Sequence, residues 1–129
     1  MQPTVLIVDD YADALELLDM TLSLAGYRTL KASNGVEAVD LARIHRPAAI
    51  IMDLFLPLLD GSAAARAVRE IPGLKEIPII GYTARCGRLE DDGMVFDRVL
   101  RKPCSPDVLL ATVADLLRTT NDELANVRT

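Results

Sequence analysis

Val5-Leu6-Ile7-Val8-Asp9-Asp10 lies near the start of the chain, and it gives way to Ala14, Leu17, Leu18, Thr21, Leu22 and Ala25, with Gly26 behind them. The first four residues form a short apolar run that reads as a strand. The set that follows falls on one side of a helix, and Gly26 is placed to end it. A strand feeding directly into a helix, with two acidic residues at the junction, is the unit whose repetition decides the fold.

Four more short apolar or β-branched runs continue the pattern: Arg28 to Lys31, Ala48 to Met52, Ile77 to Gly81, and Val99-Leu100 with their flanks. A second helix opens at Asn34, whose side chain can accept a backbone N–H while Glu37 reaches back, and it stops before Pro47. A third runs from about Ser62 through Ala63, Ala64 and Ala65 to Arg69. The last starts at Ser105-Pro106, a cap residue followed by proline at the first helical position, and continues to roughly Arg118. Between Ala84 and Asp97 the glycines Gly87 and Gly93 and the run Glu90-Asp91-Asp92 are poor helix-interior material, so a short helix or a loop is expected there. Strand and helix alternating with short connections argue a parallel sheet covered on both faces by about five helices.

The whole-chain quantities narrow the function. With 129 residues, half of them hydrophobic, the chain can bury the core of one domain unaided. Fourteen basic residues against 19 acidic ones give a net charge of −5, with no basic run, which argues against nucleic acid as a direct partner. Cys86 and Cys104 stand in neither a disulfide framework nor a zinc-ligand spacing and read as reduced thiols. Met1-Gln2-Pro3-Thr4 carries no basic segment before an apolar stretch, and no run has membrane-spanning length, so a soluble cytoplasmic protein is expected.

In open α/β sheets ligands bind beyond the carboxyl ends of the strands. The first run ends in Asp9-Asp10, the third in Asp53, the fourth in Thr83 and the fifth in Lys102. The second ends in Lys31-Ala32-Ser33, as suits an edge strand lying away from a site. Three carboxylates on one rim repel one another unless a cation joins them, and such hard oxygen ligands suit Mg²⁺. A Mg²⁺ site of this kind also takes phosphate oxygens, and Lys102 could neutralise one more of them as a point charge. A carboxylate can itself be the nucleophile of phosphoryl transfer, with the Thr83 hydroxyl donating to the new phosphate. Each residue has a plainer reading too: Asp9 and Asp10 as helix caps, Asp53 and Asp60-Gly61 as turn residues, Thr83 as a local backbone partner, Lys102 as a solvated charge. Their shared rim favours the chemical reading for all but Asp60-Gly61.

Asp9-Asp10, Asp53-Leu54-Phe55-Leu56-Pro57-Leu58-Leu59-Asp60-Gly61, Thr83-Ala84 and Lys102-Pro103, in that order and in register with the strands, resemble the signature of response-regulator receiver domains. The resemblance spans about Thr4 to Arg118. It implies a doubly wound five-stranded parallel sheet of order 2-1-3-4-5, the flavodoxin-like receiver fold. Residues 1–118 would form the receiver domain and 119–129 a polar tail or an extension of the last helix. Asp53 would be the phosphoacceptor; Asp10 and Asp53 would hold Mg²⁺ with the backbone carbonyl of Phe55, Asp9 supporting the ion mainly through water. Thr83 and Lys102 would contact the phosphate, and the Lys102–Pro103 peptide would be cis. The implied role is a stand-alone switch rather than an enzyme, phosphorylated by a histidine kinase or a histidine phosphotransfer protein. It would slowly dephosphorylate itself and signal to a downstream protein, with a phosphorylation-dependent dimer among its forms. Family members couple the threonine to an aromatic residue three before the lysine. Here that place holds Val99, and the spacing from Thr83 to Lys102 is a few residues short, so the usual output face does not follow.

Other readings stay open. A receiver-like scaffold that binds partners without phosphorylation fits Val99 and the weak fourth helix, and the chain could be the receiver of a longer regulator or hybrid kinase. An aspartyl-phosphate phosphatase would want a second aspartate where Phe55 stands, and a flavin-binding protein would want a hydroxyl- and glycine-rich loop where Asp9-Asp10-Tyr11 stands. His45 reads as a solvated residue at a helix end. Leu15, Met20 and Leu24 widen the apolar stripe of the first helix beyond its core face and suggest a docking surface.

Overall fold

A computed structural model of the chain describes residues 2–84 and 95–128, with side chains described as far as Arg118. Five parallel strands, β1 (Thr4–Val8), β2 (Arg28–Ala32), β3 (Ala49–Asp53), β4 (Ile79–Thr83) and β5 (Arg98–Arg101), lie in the order β2-β1-β3-β4-β5. The expected doubly wound sheet, with β2 at an edge, is what forms. Four helices accompany it among the described residues: α1 (Ala12–Leu24), α2 (Gly35–His45), α3 (Gly61–Arg69) and α4 (Pro106–Arg128). Cys86 and most of the expected fourth helix, residues 85–94, lie outside the described residues.

The central strands read as continuous hydrophobic runs because both faces are covered. Alternate residues go to opposite sides. Leu6, Val8, Ile50, Met52 and Ile79 pack with Ala38, Ala42, Ala64, Ala65 and Val68 of α2 and α3. Val5, Ile7, Ile51 and Ile80 pack with Leu15, Leu18 and Leu22 of α1 and Leu109, Val113 and Leu116 of α4. The fourth strand starts later than expected, at Ile79 rather than Ile77, because Pro78 has no N–H to give the ladder. That shift puts Thr83 inside the strand as its last residue.

α1 corrects the expected core face. Its buried residues are Leu15, Leu18 and Leu22, whereas Leu17, expected in the core, is 64% exposed beside Met20 and Leu24. Leu15-Leu18-Leu22 and Leu17-Met20-Leu24 share the same i, i+3, i+7 spacing on nearly opposite sides of the helix, so periodicity alone cannot choose between them. Gly26 follows the helix with φ +98°, as a residue terminating it should. At α2, Asn34 Oδ1 accepts from the Glu37 N–H at 2.8 Å and the Glu37 carboxylate accepts from the Ser33 N–H at 3.3 Å, so the expected reciprocal cap forms one residue wider than drawn.

Candidate functional site

The carboxyl ends of β1, β3, β4 and β5 meet on one rim. Asp9 follows β1 and is 1% exposed; Asp53 ends β3; Thr83 ends β4 and is 1% exposed; Lys102 follows β5. Asp10, next to Asp9, is exposed. Ligand oxygens of Asp9, Asp10 and Asp53 all lie within 4.8 Å of one another. The Lys102 ammonium reaches between them, 2.7 Å from Asp9 Oδ2 and 3.2 Å from Asp53 Oδ2.

Local structure fixes each group. Asp9 Oδ1 accepts from the Tyr11 N–H at 2.9 Å, a turn bond just ahead of α1 rather than the helix cap the sequence also allowed, since the N-cap is Tyr11 itself, while the other oxygen meets Lys102. Asp53 Oδ1 accepts from the Phe55 N–H at 3.1 Å, which leaves Oδ2 for the lysine. Lys102 continues the β4–β5 ladder, its backbone N–H donating to Thr83 O at 2.7 Å, and the Lys102–Pro103 peptide is cis. Behind Asp53, Gly61 lies so close that a Cβ there would come within 2.2 Å of the Asp53 carbonyl oxygen. Asp60, expected as a turn residue, is the N-cap of α3, accepting from the Ala63 N–H at 2.9 Å. The glycine lets the helix start against the strand end, and the aspartate caps it there.

The electrostatics follow from this crowding. Burial is the largest single influence on Lys102 and pulls its pKa down, but hydrogen bonding to Asp9 and the charges of Asp53 and Asp9 outweigh it and leave the ammonium above its ordinary value. Three carboxylates against one ammonium leave a local sum of two negative charges. Hard oxygen donors with that residual charge fit a small divalent cation of the Mg²⁺ type.

Tyr82 is a site residue that sequence reasoning missed. Its ring faces the lysine, with Nζ 4.9 Å from the ring centroid. The available signal was an aromatic residue directly before Thr83 in a strand otherwise aliphatic or glycine. Val99 is half-buried against the α2–α3 side of the core, paired in register with Gly81. His45 is exposed at the end of α2, away from the rim.

A profile of the response regulator receiver domain matches residues 5–114. The chain belongs to the response-regulator receiver family. Receiver domains are signalling switches of two-component systems, and the fold is the one the resemblance implied. The polar-differentiation response regulator DivK of Brucella anthropi is 38% identical over 84 residues, 65% of this chain and 68% of that protein. Other curated relatives are longer regulators, and the chain spans about half their length. Among solved structures, chemotaxis protein CheY4 of Vibrio cholerae is 31% identical with a TM-score of 0.85, covering 90% of this chain and 99% of that one. The receiver domain of sensor histidine kinase PA1611 from Pseudomonas aeruginosa, solved with a magnesium ion coordinated in the active site cleft, is 28% identical with a TM-score of 0.84, covering 91% and 98%. No helix among the described residues is long and apolar enough to cross a membrane.

Proposed function

We propose that this receiver domain is a Mg²⁺-dependent phosphoryl acceptor at Asp53, acting as a response-regulator switch in the cytoplasm. The observation that carries the reading is the triad of carboxylate oxygens within 4.8 Å, bridged by Lys102. Asp10 and Asp53, the backbone carbonyl of Phe55 and, mainly through water, Asp9 would hold the ion. When bound, it would neutralise charge on the transferring phosphoryl oxygens, and the similar PA1611 receiver domain holds a magnesium ion in its active site cleft. Asp53 supplies the nucleophile: a carboxylate oxygen forms an O–P bond as the P–N bond to a donor histidine breaks, the electron pair leaving with the imidazole nitrogen. Lys102 and Thr83 then contact the phosphate. Slow hydrolysis by water returns inorganic phosphate and free Asp53.

The donor would be a histidine kinase or a histidine phosphotransfer protein, and the output a contact with a downstream protein or a second phosphorylated copy. Residues 1–118 would be the receiver unit and 119–129 its polar tail, α4 itself running to Arg128. Val99 favours a second reading, a phosphorylation-independent scaffold. Intact mass after incubation with Mg²⁺ and acetyl phosphate separates the two: a phosphate-sized gain that needs Mg²⁺ and is absent in Asp53→Asn supports the switch. No gain, with a donor that works on a control receiver, leaves the scaffold reading.

A further inference from the structure

Among the described residues the Lys102 ammonium has three neighbours, of two kinds. Two are the carboxylates of Asp9 and Asp53, at 2.7 and 3.2 Å; the third is the face of the Tyr82 ring. The lysine is on a flexible stem and its side chain is 20% exposed, so an ammonium not held on several sides can swing into water. The carboxylates hold it only while their charge is free to do so, and these same oxygens form the cluster suited to a divalent cation. A ring face attracts the ammonium through its quadrupole and coordinates no metal. It is the one contact of the three that outlasts commitment of the carboxylates elsewhere.

The ring is itself fixed. Tyr82 projects from β4 to the face opposite Thr83 and packs, half-buried, against the α1–α4 side of the core. It lines a cavity of about 110 Å³ with Lys102, Cys104, Leu17, Leu18 and Leu109. Burial raises its phenol pKa, so the ring is a neutral platform at ordinary pH.

We propose that Tyr82 is a positioning residue for the phosphoryl-transfer site, holding the Lys102 ammonium at the rim by a cation–π contact when Asp9 and Asp53 turn to a metal. The inference rests on the proposed phosphoacceptor role of Asp53, and it makes an unusual pair of expectations. Loss of the ring should slow phosphorylation, because the lysine is less often in place for the phosphate. It should not weaken the metal site, because a loosened ammonium competes less for the carboxylates.

The test compares Tyr82→Leu and Tyr82→Phe with wild type in three measurements on the full chain. Rates with acetyl phosphate at saturating Mg²⁺ should fall about fivefold in Tyr82→Leu, from a contact of ordinary cation–π strength, and be retained in Tyr82→Phe. Mn²⁺ affinity, followed by electron paramagnetic resonance, should be unchanged or tighter in Tyr82→Leu. The Lys102 ε-methylene protons should show an upfield ring-current shift that persists in Mg²⁺ and disappears only in Tyr82→Leu. A Tyr82→Leu rate equal to wild type overturns the proposal. So does a fall in rate and metal affinity together, which marks a structural role, or a Tyr82→Phe as slow as Tyr82→Leu, which assigns the effect to the hydroxyl. If wild type takes no phosphoryl group, the Asp53 reading fails; the ring-current shift in Mg²⁺ then judges the Tyr82–Lys102 contact by itself, and its absence overturns it.

Discussion

Replacing Lys102 with Met removes the ammonium and keeps most of the apolar stem, so the change in packing is small and the change in charge is whole. What is left behind is Asp9, 1% exposed, and Asp53, 12% exposed, without the cation that bridged them. Breaking a fully buried ion pair costs about 3–5 kcal/mol. Lys102 is 20% exposed, so solvent screens part of the interaction, and a loss of about 2 kcal/mol is the better figure. For a domain of this size that lowers the melting temperature by roughly 6–10 °C. The measurement is thermal unfolding of wild type and variant, once in EDTA and once in millimolar Mg²⁺. In EDTA the variant melts lower; in Mg²⁺ the gap narrows, because the variant has lost the cation that competes with the metal. Each tenfold gain in metal affinity recovers about 1.4 kcal/mol under saturating conditions. An equal gap in both solutions would refute the reasoning, since it would mean that Lys102 and the metal do not share the same carboxylates. No gap in EDTA would refute the pairing itself.

Three further outcomes follow from other parts of the molecule. Gly61→Ala places a methyl against the Asp53 carbonyl, and the forced shift should cost about 1–3 kcal/mol in urea unfolding and also slow phosphorylation by displacing Asp53. Arg69 donates to the carbonyls of Lys75, Ile77 and Val95 and to the Asp97 carboxylate at the opposite end of the sheet, so Arg69→Lys should cost about 2 kcal/mol while leaving the acetyl phosphate rate constant unchanged. Asp19 accepts from the Thr29 hydroxyl and pairs with Lys31, and these hold its pKa below the ordinary value; its stabilising effect is therefore full above the unfolded pKa and lost as pH falls through the lower folded one. Asp19→Asn should lower stability near neutrality by about 1 kcal/mol and flatten the pH dependence below about pH 4, as read by urea melts at several pH values.

What the sequence made legible was whatever depended on strand ends and caps. Asp9, Asp10, Asp53, Thr83 and Lys102 could be brought together on paper because each stands where a run of aliphatic residues stops, and parallel strands stop on one rim. Asn34 with Glu37, and Ser105 with Pro106, marked helix starts through local hydrogen-bonding chemistry that needs no tertiary information. The core face of α1 was not legible, because two stripes of equal spacing compete and only the sheet decides between them. Nor was the cluster around Arg69, whose acceptors are backbone carbonyls that a string of side chains does not display. Tyr82 was hidden for a related reason: a tyrosine in a strand reads as β-propensity, and its approach to Lys102 depends on β4 and β5 being neighbours.

Charge arithmetic explains why the rim holds a lysine as well as an acidic cluster. Asp9, Asp10 and Asp53 with Lys102 sum to −2 before phosphorylation. A phosphoryl group carrying about two negative charges in place of the Asp53 charge takes the sum to about −3, at a place where Asp9 is all but sealed from water. A divalent cation brings it to about −1, and without Lys102 it would be about −2 even with the cation present. The two positive groups are not interchangeable. The cation comes from solution at a concentration the cell sets, whereas the lysine is delivered by the fold, through the 2.7 Å bond from its N–H to Thr83 O. That bond ties the two residues proposed to contact the phosphate into one piece of backbone, so that placing either places both. A tethered charge has value only if its head stays at the rim while the carboxylates attend to a metal, and of its three contacts among the described residues only the Tyr82 ring is independent of them.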